Sequence, residues 1–112
     1  MDERQFEALA GEALRSIERA LDQSGVDADI ELKEGGVLEL EFGNGSKIIV
    51  NRHVPNREIW VAARSGGFHF RADGGAWRDA RSGGELGGEL TRLLREQAGL
   101  AVDLSRLPGP AA

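Results

Sequence analysis

Residues 44–60 read NGSKIIVNRHVPNREIW, and the punctuation in this stretch decides the fold. Asn44-Gly45 is a dipeptide suited to a two-residue hairpin, because both positions tolerate positive φ. Lys47–Asn51 follows as a short apolar strand, Pro55 breaks the chain into a loop, and Ile59–Ala63 resumes as a strand. Side chains alternate across a strand, so Ile59 and Val61 point one way and Trp60 the other. A tryptophan on the face opposite the apolar residues implies a sheet with one covered and one open side.

The flanking sequence extends the pattern. Ala28–Lys33 alternates Ile30 and Leu32 against Asp29 and Glu31. Val37–Phe42 follows the Gly35-Gly36 turn, Phe68–Arg71 follows Gly66-Gly67, and Ala76–Ala80 follows Asp73-Gly74. Six short strands joined by tight turns predict an antiparallel meander. Residues 3–23 place Phe6, Ala10, Leu14, Ile17 and Leu21 on one face at helical spacing, with Gly25 beyond the end. Ser82 and Glu85 fit the capping-box pattern, and Leu86, Leu90, Leu93 and Leu94 predict a second amphipathic helix ending near Gly99. Gly87 and Gly88 weaken its first turns by about 1 kcal/mol each relative to alanine. The predicted class is α+β, a two-layer sandwich with two helices on one face of a six-stranded antiparallel sheet. Residues 1–112 form one domain on this reading. The tail from about 101 folds Val102, Leu104 and Leu107 back on the helices, and its last residues are loose.

Composition narrows the chemistry. The chain has 112 residues, 40% of them hydrophobic, and no cysteine. It therefore holds no disulfide, thiolate ligand or cysteine nucleophile, and no iron–sulfur cluster on its own sulfurs. No apolar run approaches the roughly 20 residues that span a bilayer. Met1-Asp2-Glu3 opens neither a signal nor a transit peptide, so the expected location is the cytoplasm. The net charge of −5 conceals an asymmetry. Residues 1–31 carry nine acids against three bases, and residues 47–81 carry seven bases against three acids. An acidic end and a basic middle fit a charged partner or a bound cation, and equally fit solubility with internal ion pairing.

The acids are ordered. Glu3, Glu7, Glu18 and Asp22 line one edge of the helical apolar face, and Asp27, Asp29 and Glu31 share one face of the first strand in steps of about 7 Å. If that strand lies beside the helix, the two rows merge into one ridge. Open, oxygen-only ligands suit hard or borderline cations and bind them weakly. The same residues also read as a solvated helix face and a charged edge that discourages aggregation. A calcium loop beginning at Asp27 fails, because Leu32 stands where glycine is needed and Leu38 where a bidentate glutamate is needed.

Other chemistries find little support. His53 and His69 are isolated and show no metal-ligand spacing. No nucleophile elbow, phosphate loop or paired Glu-x-x-His arrangement is present. Nucleic-acid binding is disfavoured by the negative charge and by the absence of an aromatic pair on an open sheet face. Trp60 is the sharper signal. Aromatic and arginine side chains anchor interfaces disproportionately, and Asn51, Arg52, Arg57, Glu58 and Arg64 are candidates to surround it. It also reads simply as a shield for the sheet.

The order Asn51-x-x-x-Pro55-Asn56-x-x-Ile59-Trp60 resembles the signature of the frataxin family, bacterial branch. The resemblance runs colinearly from Phe6 to Gly99. It implies the fold above, and it implies that the acidic ridge is an iron-binding surface for ferrous or ferric iron. It implies a regulator of iron–sulfur cluster assembly that docks on a cysteine desulfurase through Glu18 and Asp22, and faces the cluster scaffold with Asn51 and Trp60. The expected protein is a monomer with scope to oligomerise on iron, and not an enzyme; the alternative is an iron donor or ferroxidase-type storage protein. Trp77 matches a second family tryptophan that packs the sheet edge. Arg15, Arg19 and Lys33 depart from the densest acidic pattern. Competing for the neighbouring carboxylates, they predict fewer or weaker iron sites.

Overall fold

The computed structural model describes residues 1–110. Helix α1 (Glu3–Ser24) opens on a capping box. The Asp2 carboxylate accepts from Gln5 N at 2.8 Å, and the Gln5 side chain accepts from Asp2 N at 3.0 Å. Gly25 ends the helix at φ 70°. Six strands follow: β1 (Ala28–Lys33), β2 (Val37–Phe42), β3 (Lys47–His53), β4 (Glu58–Ala63), β5 (Gly66–Asp73) and β6 (Ala76–Asp79). They lie in sequence order in one antiparallel sheet, and α2 (Leu86–Ala98) completes the structure. The inner strand residues Leu38, Leu40, Ile48, Val50, Ile59 and Phe70 share one core with the apolar faces of both helices. The α+β sandwich expected from the sequence is the observed architecture.

The turns differ in detail from their sequence reading. Phe42 N donates to Ser46 O at 3.0 Å, so the β2–β3 connection has three residues, 43–45, and only Gly45 takes positive φ. Asn44 instead accepts from Ser46 N and donates to Gln97 O at 2.8 Å, which ties the turn to the end of α2. Gly66 and Gly67 lie inside β5; the β4–β5 turn is Arg64-Ser65, with Ala63 opposite Gly66. The β5–β6 turn is Gly74-Gly75. The Ser82–Glu85 capping box does not form. Asp79 is nearer, and its carboxylate accepts from Ser82 N and Oγ at 3.0 Å each, leaving Glu85 to reach Arg78 at 3.6 Å.

Gly87 has a packing role that outweighs its weak helix propensity. A Cβ there would lie 2.1 Å from Leu104 O. The tail thus crosses α2 at backbone distance, where Thr91 Oγ1 accepts from Leu104 N at 2.9 Å. Val102 and Leu104 are buried, as expected. Packing continues through Pro110, which is also buried; the residues expected to be loose, Ala111 and Ala112, lie outside the described residues.

Candidate functional site

The candidate residues gather at two places, the β1 edge of the sheet and the centre of its open face. The first is the α1–β1 edge. Strand β1 pairs only with β2, so it is an edge strand, and α1 packs over its Ile30 and Leu32 side. Glu3 and Asp22 are exposed on α1, and Glu7 and Glu18 are half-buried. Asp27, Asp29 and Glu31 are exposed. The expected merging of the two rows is not what the register produces. Asp29 and Glu31 alternate away from α1 onto the open face, directly opposite Glu41 and Glu39 of β2. Asp27, Asp29 and Glu41 border a shallow concavity of about 330 Å³. Among the described residues, no three His, Asp or Glu side chains are grouped closely enough to hold a metal ion.

The expected competition from arginine is also corrected. Arg15 and Arg19 both pair with Glu12, at 3.3 and 2.9 Å. Lys33 pairs with Glu39 at 2.7 Å, and Lys47 joins it at 2.8 Å. Hydrogen bonds from these two lysines hold the Glu39 carboxyl at about 2. Two acids that sequence reasoning left out of the ridge thus occupy the nearby cations. Among the described residues, Glu18, Asp22, Asp27, Asp29 and Glu31 form no ion pair.

The second surface is the centre of the open face. Trp60 faces outward and half-buried, while Ile59 and Val61 point into the core, as the alternation predicts. Its cross-strand partners are Asn51 on β3 and His69 on β5. Three rings stack in a row. His53 lies 3.6 Å from the Trp60 ring centroid at 10°, and His69 lies 4.5 Å away on the other side at 11°. Beneath them is Glu58, 2% exposed. Its Oε1 accepts from Trp60 Nε1 at 2.8 Å, and its Oε2 accepts from Arg71 Nε at 2.6 Å. Burial pushes the Glu58 carboxyl up, but the hydrogen bonds from Trp60 and Arg71 prevail and hold it below its ordinary value.

The surroundings predicted for Trp60 are partly replaced. Arg52 opposes Ile59 and so lies on the core side, stacked beside Gly36. Arg57 turns back to Val54 O at 2.6 Å, at φ 54°, and Arg64 sits in the β4–β5 turn. His53, His69 and Arg71 take those places. Trp77, by contrast, is buried edge-on against Phe6 at 6.0 Å.

An acidic edge strand beside an N-terminal helix, and an open sheet face centred on a tryptophan, sit on one α+β sandwich of two helices and a six-stranded antiparallel sheet. The frataxin-like domain model matches residues 1–100, and the chain belongs to the frataxin family. Its relatives in that family include bacterial CyaY proteins. The iron–sulfur cluster assembly protein CyaY of Dechloromonas aromatica (strain RCB) is 56% identical over 104 residues, spanning 93% of this chain and 99% of that protein. The solved frataxin of Psychromonas ingrahamii superposes with a TM-score of 0.86 at 35% identity, covering 93% of this chain and 98% of that one. A trimeric frataxin of the yeast Saccharomyces cerevisiae, complexed with ferrous iron, matches with a TM-score of 0.62 at 28% identity over 80% of this chain and 87% of that chain. Among the described residues, no helix is long and apolar enough to cross a membrane.

Proposed function

We propose that this protein is an iron-responsive regulator of iron–sulfur cluster assembly. It binds ferrous or ferric iron as exchangeable cargo on the α1–β1 edge, and it docks on a cysteine desulfurase with that same edge. One observation carries the reading. Among the described residues, the edge carboxylates Glu18, Asp22, Asp27, Asp29 and Glu31 form no ion pair, and Glu12 and Glu39 engage the neighbouring cations. Uncompensated charge at an exposed edge attracts cations and steers a basic protein surface toward it. With no three carboxylates grouped among the described residues, iron is held by one or two protein oxygens with water completing its shell, which is weak and rapidly exchanging. The relatives named above support the pathway. The protein acts as an assembly factor rather than an enzyme, and Asn51 and Trp60 on the open face meet the scaffold.

Changing both Glu18 and Asp22 to Lys tests the docking reading. The pair lies outside the buried arc of α1, so the fold is expected to survive, and desulfurase binding at low salt is expected to be lost. Trp60→Ala is expected to leave desulfurase binding in place and to weaken the complex that includes the scaffold by about 2 kcal/mol. Unchanged desulfurase binding by the charge-reversed protein removes the edge as its docking surface.

A further inference from the structure

Both faces of the Trp60 indole are covered. A tryptophan that anchors a partner by burying a ring face cannot do so while His53 and His69 remain stacked on it. The two covers are not equivalent. His53 is the inner one, at 3.6 Å, with its Nδ1 buried. His69 is the outer one, at 4.5 Å, and half of its side chain, 51%, is exposed. His69 is therefore the cover with solvent to swing into. It also has a charge partner, since its Nδ1 lies 3.7 Å from Glu58 Oε1, the oxygen that accepts from Trp60.

We infer that His69 is a proton-latched cover over Trp60, closed when its imidazole is charged and released when it is neutral. The inference concerns regulation of the open face and rests on the reading of Trp60 as a docking residue. The sign follows from what surrounds the ring. A neutral imidazole stacked on indole is held by dispersion and weak dipole contacts. An imidazolium in the same place meets the negative π-face of Trp60 and the carboxylate of Glu58 together. From β3 comes His53, which is on the far side of the indole. From β4 comes Glu58. From β5 comes Arg71, whose repulsion is reduced because its Nε is bonded to Glu58 Oε2. From β6 come Arg78, opposite Arg71, and Asp79, which accepts from His69 N but is tied to Ser82. The attractive pair lies closest to the imidazole. Histidine is the side chain whose charge ordinarily changes between about pH 5 and 8. Acidification therefore fastens the cover and withdraws the indole face from a partner, whereas slightly alkaline conditions offer it. The α1–β1 edge carries no histidine, so its docking is unaffected in this range.

Acrylamide, a small neutral quencher, measures access to the indole face with the full chain and no partner present. Trp77 is buried, and subtracting the signal of Trp60→Phe isolates Trp60. The Trp60 quenching slope is expected to be about two- to fivefold lower at pH 5.5 than at pH 8, the range one exposed cation–π contact provides. His69→Ala is expected to show the high slope at both pH values. Its side chain is largely exposed, so loss of fold is not expected, and circular dichroism checks this. His53→Ala opens the other face at both pH values, so it is expected to raise both slopes while keeping a smaller difference between them. A wild-type slope that does not change with pH overturns the inference, as does a pH response that persists in His69→Ala. Because no partner is involved, a scaffold that fails to bind Trp60 at any pH counts against the docking reading alone.

Discussion

The carboxylates at the α1–β1 edge and the single carboxylate beneath Trp60 show two opposite ways of using the same group. At the edge, Asp22, Asp27, Asp29 and Glu31 are exposed and, among the described residues, unpaired. Water satisfies their oxygens, so a cation or a basic protein can replace that water at little cost in fold stability. Glu58 has almost no access to water, and both of its oxygens are met by donors from Trp60 and Arg71. A buried charge persists only when it is answered in this way. The contrast separates a hydrated surface from a fixed one. The edge carries uncommitted charge, and the open face holds one indole in one orientation.

The largest expected effect breaks this distinction if it fails. Glu58→Ala removes the acceptor of Trp60 Nε1 and of Arg71, and is expected to reduce stability by about 2 kcal/mol or more in urea unfolding. Asp29→Ala at the edge is expected to stay within about 0.5 kcal/mol. Equal losses at the two positions show that the edge carboxylate is structural after all.

Glu39 stands between the two cases, half-buried and committed to Lys33 and Lys47. Its carboxyl is held at about 2, against an ordinary value of 4.5, by the hydrogen bonds of Lys33 and then Lys47. A folded-state value below the unfolded one contributes stability that is complete above about pH 4.5 and disappears as pH falls toward 2. Glu39→Gln is therefore expected to flatten the acid limb of the stability curve between pH 4.5 and 2, while leaving the pH response of Trp60 quenching in place. An acid limb identical to that of wild type shows that the ladder of two lysines and Glu39 exists without stabilising the fold.

The sequence made the layers legible, because periodicity reports burial directly. Phe6, Leu14 and Ile17 at helical spacing, and Ile59 and Val61 flanking Trp60, all lie where alternation placed them. The stack was hidden by a turn. Taking Gly66-Gly67 as the bend leaves the pairing of β4 with β5 out of register. With Arg64-Ser65 as the bend, Ala63 meets Gly66, and counting outward brings His69 opposite Trp60. Glycine marks a turn only where positive φ is required, and this two-residue bend has none at either position. The edge acids were legible as a list but not as a surface. Their pairing depends on which carboxylate each arginine reaches, and Glu12 lies within one turn of Arg15 and two of Arg19 on the same helix. Glu41 became visible only through its register with Asp29.

The smallest effect sharpens the comparison most, because it tests whether the edge charge is truly uncommitted. Glu18 and Asp22 are four residues apart on α1, and neither forms an ion pair among the described residues. Like charges at that spacing repel by a few tenths of a kcal/mol. In a domain of this size that corresponds to roughly 1–3 °C in melting temperature. A divalent cation at the edge offsets the repulsion, and Asp22→Asn removes it. Both are expected to raise the melting temperature by that amount, and the cation is expected to add less to Asp22→Asn than to wild type. Amide shifts or line broadening on adding a paramagnetic divalent ion are expected to centre on Glu18, Asp22, Asp27, Asp29 and Glu31. If broadening is confined instead to His53 and His69, the imidazoles hold the metal and the edge is only a solvated face. If melting is indifferent to both the cation and Asp22→Asn, the repulsion is already screened by water, and the edge's role lies in steering partners rather than in holding ions.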